Sequence, residues 1–392
     1  MRIDSFPPYF DHIDGFEDFL VRTRLVNGAL INGINLNDCS NEVSLSAIKN
    51  SILINCEFPG SMLKRLIENG CSILSSAPDI PFEIAKETLY TPQALFEGFH
   101  NDKSRRYSST LDAEIYHYWY SNDGVNSLNN FISLQGRLHD YFISRALCGE
   151  IAKFGKLKVV AIMGGHELSR DESTYLEIVL LAGELARKGF LVISGGGPGA
   201  MEAAHLGVAL AHENETKILD VVNYLKVTKF AHEPSWFDRA YDIAQDIRQE
   251  KSHFNSIGIP TWRYGHAPTP FATKIAKFFF NDTRESALIE KSLAGTIFFK
   301  GSAGTLQEIL QKTSNNHYLA SNYISPMVFY GNSYWNHEKP ILPLLRSISS
   351  NTKYQKMMCI TDTVADTVKF LTNSPPIEEN YNGFNFCLSQ TM

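Results

Sequence analysis

The arrangement of apolar and polar positions changes near residue 150. Before that point, apolar and aromatic residues are mixed irregularly with polar ones, and no internal repeat is visible. Between residues 111 and 154, apolar side chains recur at helical spacing, which predicts two or three helices with a break at residues 121–124. We therefore predict a mixed, largely helical N-terminal extension over residues 1–150, and its sequence indicates no role.

From residue 156 onward, short apolar runs alternate with helical stretches. Lys158–Met163 and Phe190–Ser194 are continuous apolar runs that end at glycines, as buried parallel strands do. Thr174–Lys188, between them, has the spacing of an amphipathic helix and is followed by Gly189. The same patterns predict strands at 217–222, 256–259, 295–299 and 327–330, and helices at 200–212, 235–250, 269–280, 286–293, 305–313 and 361–371.

This alternation of strands and helices determines the expected fold class. It favours an α/β fold, in which helices cover both faces of a parallel sheet. The pattern extends to about residue 375, so we predict one α/β domain over residues 151–375 and an irregular tail over 376–392.

The composition limits the class of function. The 36 Lys and Arg residues against 42 Asp and Glu give a net charge of −6, whereas nucleic-acid-binding proteins present a basic face. Six scattered cysteines lack the spacing of a disulfide framework or a zinc site, so reduced thiols are expected. The N-terminus lacks the basic start and apolar core of a signal peptide, and no uncharged run reaches the ~18 residues of a membrane span. We expect a cytoplasmic protein that binds neither nucleic acid nor membranes.

The strongest chemical signal is the segment Ser-Gly-Gly-Gly-Pro-Gly-Ala-Met at 194–201. Its glycines permit a tight turn and leave the first amides of the following helix open to a phosphate. A purely structural turn is one alternative. Another is a dinucleotide fingerprint, since Gly195, Gly197 and Ala200 fit G-x-G-x-x-A and Asp220 follows ~20 residues later, although that motif belongs in the first strand-to-helix turn of a domain. The predicted phosphate contacts are Gly195, Gly196, Gly197, Gly199, Ala200 and Met201.

A second glycine loop, Lys-Gly-Ser-Ala-Gly-Thr-Leu-Gln-Glu at 300–308, follows another predicted strand. The hydroxyls of Ser302 and Thr305 are available to bond an anion or to cap the helix. Glu308 lies about one turn into that helix, where its role is either catalytic or that of a helix-end charge. Because ligands of open α/β sheets bind at the carboxyl ends of strands, residues 164–166 are expected to form a third wall. The predicted contacts are Gly164, Gly165, His166, Lys300, Gly301, Ser302, Ala303, Gly304 and Thr305.

The two loops together carry a family resemblance. Gly-Gly-Gly-Pro-Gly-Ala-Met-Glu-Ala at 195–203, paired with Gly-Ser-Ala-Gly-Thr-Leu-Gln-Glu at 301–308, resembles the LOG family. That family includes cytokinin-activating phosphoribohydrolases and nucleotide 5′-monophosphate nucleosidases, and its members are often called lysine decarboxylases. The resemblance covers roughly residues 156–348. It implies a Rossmann-like doubly wound parallel sheet, a homo-oligomer, and hydrolysis of the N-glycosidic bond of a nucleoside monophosphate to free base and ribose 5-phosphate.

The resemblance also assigns residues. Glu308 matches the glutamate of the family's second motif, and Arg284 matches the arginine on the preceding helix, although its spacing to the loop is about one residue longer than usual. Lys300 replaces the motif's proline, and Ser302 replaces its second glycine. Glu308 is expected to stabilise the positive charge on the sugar or to activate water. Arg284 is expected to hold the substrate phosphate or to fix Glu308 by an ion pair.

The remaining inferences leave alternatives open. Residues 259–268 are rich in aromatic and polar groups, which either contact a nucleobase or pack at a subunit interface. A non-catalytic nucleotide sensor with the same fold is the main alternative function. No set of His, Cys, Asp and Glu has metal-ligand spacing, and no lysine has the context of a Schiff base, so we predict an enzyme without metal or other cofactor. The candidate base contacts are Trp262, Arg263, Tyr264 and His266.

Overall fold

The chain divides into two compact units. A computed structural model describes residues 8–39, 47–75, 79–99, 107–122, 130–233, 235–249 and 254–379. Its units are Met1–Ala85 and Lys86–Met392. Most of the predicted tail, residues 380–392, lies outside the described residues. No helix in the described ranges is long and apolar enough to cross a bilayer.

The first unit is a stack of short parallel strands with helices beside them. Its four-stranded sheet has the order β1-β3-β5-β6, and β2 pairs with β4. The strands of this sheet follow one another at nearly regular intervals along the chain. Tyr9 pairs with Leu30, Leu30 with Ile52, and Ile52 with Ser72. The strands are β1 (Tyr9–Phe10), β2 (Val26–Asn27), β3 (Leu30–Asn32), β4 (Ile48–Lys49), β5 (Ile52–Ile54) and β6 (Ser72–Leu74), and the helices are α1 (Ile13–Thr23) and α2 (Gly60–Glu68).

The sequence pattern does not predict this sheet or its near-repeat. Each strand has only two or three residues, and a strand this short shows no recognisable alternation of apolar and polar positions. The core is nevertheless well formed, since Phe16, Ile31 and Leu53 are fully buried within it.

The second unit contains a seven-stranded parallel sheet, which confirms the predicted α/β class with a Rossmann-like, doubly wound sheet. Its order is β10-β9-β8-β7-β11-β13-β14. The chain thus proceeds outward from β7 in one direction and then returns to β11 to proceed in the other. The strands are β7 (Val159–Met163), β8 (Leu191–Ser194), β9 (Ser256–Gly258), β10 (Lys274–Ile275), β11 (Gly295–Phe298), β13 (Met327–Tyr330) and β14 (Met358–Thr361); β12 (Tyr323–Ile324) pairs separately with β15 (Ile377–Glu378).

Helices cover this sheet, and their buried residues form its core. Every residue of β7 is buried, as its continuous apolar run predicts. The predicted helices at 174–188, 200–212, 235–250, 286–293, 305–313 and 361–371 are present with shifted ends. The helices are α3 (Pro92–Leu95), α4 (Leu111–Ser121), α5 (Asn130–Phe154), α6 (Ser173–Arg187), α7 (Ala200–Ala209), α8 (Glu215–Leu225), α9 (Trp236–Gln249), α10 (Asn281–Lys291), α11 (Ala303–Tyr318), α12 (Leu342–Ile348) and α13 (Val364–Asn373).

The predicted strand at 217–222 is wrong, because these residues belong to α8. Ile218, Val221, Val222 and Leu225 are its buried residues, and their spacing is helical rather than alternating. The Asn214 side chain accepts a hydrogen bond from the Lys217 amide at 2.9 Å and caps the helix.

The predicted helix at 269–280 is also wrong. This segment is irregular except for β10, which pairs in parallel with β9. Its backbone bonds to neighbouring chain instead of to itself: the Ala276 amide donates to Gly258 O and the Phe278 amide to Pro260 O. The consecutive residues from Ile275 to Phe279 are all buried, so the apolar spacing of the segment does not mark a single helical face.

Helices α4 and α5 pack within the second unit. The boundary between the compact units therefore lies at residue 85, whereas the pattern of apolar and polar residues changes near residue 150. In α4, Asp112 pairs with Lys277 at 2.6 Å, and both side chains are buried. In α5, the Asp140 carboxylate accepts the amides of Phe279 and Phe280 at 2.8 and 2.9 Å. Two buried carboxylates from α4 and α5 thereby fix the segment that leads into α10.

Candidate functional site

A cleft lies where the sheet changes direction. Strands β7 and β11 are adjacent although they are distant in sequence, and from them the order of the strands runs outward in opposite directions across the sheet. Ligands of open α/β sheets bind at this kind of switch point. The cleft has a volume of about 410 Å³ and its walls come from the loops after β7, β8, β9 and β11 and from α10 and α11.

The glycine loops interlock by close backbone contacts. The Gly165 amide donates to Lys300 O at 2.9 Å, and the Ala200 amide donates to Gly165 O at 3.2 Å. Gly199 has a φ of +67°, and a β-carbon there would lie 2.5 Å from Gly165 O. The loops after β7, β8 and β11 therefore fit together only because this position carries no side chain.

Gly199→Ala is expected to destabilise the second unit by about 2–4 kcal/mol, from the left-handed backbone and the clash with Gly165 O. The matched control is Gly149→Ala, in the second half of α5, where a β-carbon meets nothing within 4 Å. That control is expected to stabilise by about 0.5–1 kcal/mol. Denaturant unfolding of both variants measures the difference, and equal midpoints would contradict the close-contact explanation.

Two helices, α7 and α11, begin beside the cleft, and the first amide of α7 is already bonded, because Ala200 N donates to Gly165 O. Gly199 precedes α7, and Ser302 precedes α11, and neither makes a side-chain capping bond. Ser302 therefore does not cap its helix, which was one of its two expected roles. The first amides of α11 have no acceptor within the helix, so Gly304 and Thr305 can offer N–H groups to an anion at the cleft wall.

Glu308 and Arg284 meet at the floor of the cleft. Arg284 Nη1 lies 3.9 Å from Glu308 Oε1, and the two side chains are only 10% and 12% exposed. Arg284 is oriented by its Nε, which donates to Ile259 O at 2.8 Å. Burial raises the pKa of Glu308 to about 7, and repulsion from Glu285 contributes to the rise while Arg284 opposes it. Glu308 can therefore exchange a proton near neutral pH.

Glu285 also lines the cleft, and the sequence analysis does not identify it. Its carboxylate accepts a hydrogen bond from Asn281 Nδ2 at 2.7 Å and another from Gln307 Nε2. The sequence pattern places the start of α10 at residue 286, whereas the helix begins at Asn281. The one sequence signal that could have identified Glu285 is its position directly after Arg284.

The upper part of the cleft carries aromatic and imidazole groups. Tyr264 is 55% exposed and lines the cleft together with His266 and His166. The two imidazole rings lie 5.7 Å apart. Burial lowers the pKa of His266, and the nearby His166 and Lys277 lower it further. This wall thus offers flat rings and the hydrogen-bonding groups of two imidazoles and a phenol.

Most of the predicted site residues line this cleft, but several lie elsewhere. Gly196 packs against Gly258 and Pro260, and Gly199 and Ala200 are buried in the contact between loops. Lys300 and Gly301 line a neighbouring cavity, Arg263 lines another, and Ala303 lines neither. The predicted residues in the cleft are Gly164, Gly165, His166, Gly195, Gly197, Met201, Tyr264, His266, Arg284, Ser302, Gly304, Thr305 and Glu308.

Trp262 is not available to stack on a ligand, in contrast to its prediction. Its side chain is fully buried, and its indole donates to Asp112 Oδ1 at 3.0 Å. The same Asp112 oxygen accepts from Lys277, so Trp262 belongs to a buried network. Trp262 anchors the loop that carries Tyr264 and His266 instead of contacting the cleft.

Asp220, the residue required by the dinucleotide alternative, is exposed on α8. In that fingerprint the acidic residue lies at the end of a strand near the glycine loop. Moreover, the loop at 195–199 follows the second strand of the large sheet along the chain. Neither feature matches dinucleotide binding.

No three His, Cys, Asp or Glu side chains among the described residues are grouped in a way that could hold a metal ion. Metal-independent chemistry stays a prediction.

No family model matches the chain, and no curated protein matches it. Among solved structures, the molybdenum cofactor binding protein from Rippkaea orientalis matches at 15% identity and a TM-score of 0.35, over 55% of this chain and 95% of that chain. The molybdenum cofactor carrier protein from Chlamydomonas reinhardtii matches at 14% identity and a TM-score of 0.35, over 55% and 98%. Likeness at this level carries no argument about the ligand or reaction of this chain.

Proposed function

We propose that the protein hydrolyses the N-glycosidic bond of a nucleoside 5′-monophosphate, releasing free base and ribose 5-phosphate. The observation that carries the proposal is a buried carboxylate, Glu308, paired with Arg284 on the floor of a cleft between two glycine loops. The resemblance of these loops to the LOG family supports the same reaction. The volume of about 410 Å³ is within the range of small-molecule sites.

The proposed mechanism separates binding from chemistry. The open amides at the start of α11 hold the 5′-phosphate, which positions the ribose over Glu308. As the bond to the base breaks, positive charge develops on the sugar, and the Glu308 carboxylate stabilises it. Arg284 orients that carboxylate. Tyr264 and His266 form the wall against which the base lies.

The alternative is a nucleotide sensor that binds without turnover. The departures from the family motif, Lys300 and Ser302, prompt this alternative. Lys300, however, lines the neighbouring cavity, where it lies 3.9 Å from Glu338. The carboxylate and guanidinium of the cleft are both retained, which favours the enzyme.

The test is incubation of the full-length protein with AMP, GMP, IMP, CMP and UMP, with free base and ribose 5-phosphate both quantified. Equal release of the two products supports the hydrolase. Binding of a monophosphate in calorimetry without release of base would support the sensor. Release of inorganic phosphate alone would contradict the proposal, because it would place the chemistry at the phosphate ester.

A further inference from the structure

Two carboxylates, Glu285 and Glu308, share the cleft. Glu285 is 7% exposed and the Glu308 side chain is 12% exposed. The carboxylate of Glu285 is held by neutral amides of Asn281 and Gln307, and Gln307 directly precedes Glu308 in α11. Glu285 is thus fixed in position, and its partners in these bonds do not neutralise its charge.

The charges of the cleft do not balance. Among the described residues that line it, Arg284 carries the one permanent positive charge, and its Nε is directed to Ile259 O. The other titratable groups that line the cleft are His166, His266 and Tyr264, and burial lowers the pKa of His266, which favours its neutral form. Glu285 also lines an adjoining cavity with Arg137, Arg263 and Asp282, and Arg137 pairs there with Asp282 at 3.3 Å. Like charges in a shared, poorly hydrated site favour retention of one proton between them.

We propose that Glu285 is a positioning residue that keeps one proton on the Glu285–Glu308 pair at neutral pH, and that this proton goes to the departing base. The inference rests on the proposed function and extends it, because departure of the base needs an acid as well as a group that stabilises the sugar. Repulsion from Glu285 is one of the causes of the raised pKa of Glu308.

The step balances in atoms and electrons. The bond between C1′ and the base nitrogen breaks, its electron pair leaves with the base, and the proton of the pair is transferred to the base. Water then bonds to C1′ through its oxygen and returns one proton to the pair. The pair ends in its starting state, and no oxidant or reductant takes part.

The test is the pH dependence of kcat for Glu285→Gln with the best monophosphate substrate. Loss of the Glu285 charge is expected to move the basic limb of the profile down by about one pH unit, so that kcat falls about tenfold at pH 8.5 and changes little at pH 5.5. Glu285→Asp keeps the charge and is expected to retain the wild-type limb. Glu290→Gln, an exposed carboxylate on the same helix, is the matched control with an unchanged profile. A profile lowered equally at every pH would reduce Glu285 to a structural role and overturn the inference.

A second readout keeps this inference separate from the proposed function. Carboxyl ¹³C signals of labelled glutamate report titration without any turnover. We expect a carboxyl that titrates near pH 7 in the wild type, is absent in Glu308→Gln, and titrates at lower pH in Glu285→Gln. If no monophosphate is hydrolysed but this pattern appears, the proposed function fails and the proton-holding pair stands. If no carboxyl of the wild-type protein titrates in the neutral range, the proton-holding pair is contradicted. This outcome is decided on the wild type alone, so it holds even if Glu285→Gln does not fold.

Discussion

Glu308→Gln is expected to lower kcat for monophosphate hydrolysis by about 10³-fold, the range associated with loss of a positioned acid–base group. The amide keeps the shape of the side chain but carries no charge to stabilise the sugar and no exchangeable carboxyl proton. In the proposed mechanism the 5′-phosphate is held by the open amides at the start of α11, so binding of the substrate is expected to remain close to wild type. Steady-state kinetics and calorimetry with AMP and GMP measure the two effects separately.

The same substitution is expected to change how stability depends on pH. Because the pKa of Glu308 is raised from 4.5 to about 7, the native state binds more protons than the unfolded state between these values. The stability contributed by the protonated form is complete below pH 4.5 and is lost as the pH rises through 7. Glu308→Gln lacks this loss, so its melting temperature relative to wild type is expected to be higher at pH 8 than at pH 5.

Three results would count against this account of Glu308. Turnover that survives in Glu308→Gln would place the chemistry on another group. Loss of binding together with turnover would indicate a collapsed cleft, and Glu290→Gln, outside the cleft on α10, controls for a general effect of losing a carboxylate. A difference in melting temperature that does not vary with pH would show that the Glu308 carboxyl is not perturbed.

The parts of the fold that the sequence predicts are those in which one signal dominates. Strand β7 is a continuous apolar run that ends at glycine, and it appears as predicted because both faces of a central strand are buried. The segment 217–222 is rich in β-branched residues, but its burial follows a helical period, so the packing overrides the propensity. In 269–280 a helical spacing of apolar residues arises because both sides of an extended segment are buried.

In the candidate site, too, the sequence predicts some features and not others. Glycine loops are visible in sequence, because close backbone approach excludes side chains, and Gly199 satisfies that requirement in the structure. The burial of Trp262 depends on Asp112, which lies 150 positions earlier, and no local pattern contains that contact. Glu285 joins Glu308 only because α10 packs beside α11, so the carboxylate pair emerges at the level of tertiary structure.

Glu202→Ala is expected to destabilise the second unit by about 3–5 kcal/mol, because it leaves Arg170 buried without its carboxylate. Arg170 Nε and Nη2 donate to the two Glu202 oxygens at 2.8 and 3.0 Å, and both side chains are at most 1% exposed. Tyr175 also donates to Glu202, at 2.5 Å. Arg170 Nη1 reaches Thr228 Oγ1 at 3.1 Å, so one guanidinium ties the first turn of α7 to the segment after α8. Denaturant unfolding measures the loss.

The comparison with an exposed pair decides whether burial is the cause. Arg187 and Glu184 lie 2.9 Å apart but are 41% and 36% exposed, so Glu184→Ala is expected to cost at most about 1 kcal/mol. The double variant Arg170→Met/Glu202→Leu removes both charges, and it is expected to be more stable than Glu202→Ala although it has lost the same carboxylate. Equal costs for Glu202→Ala and Glu184→Ala, or a double variant less stable than Glu202→Ala, would show that the uncompensated Arg170 charge is not what destabilises the protein. Because Glu202 lies in the first turn of the helix that follows the glycine loop, the loss is expected to extend to the cleft and to weaken monophosphate binding as well.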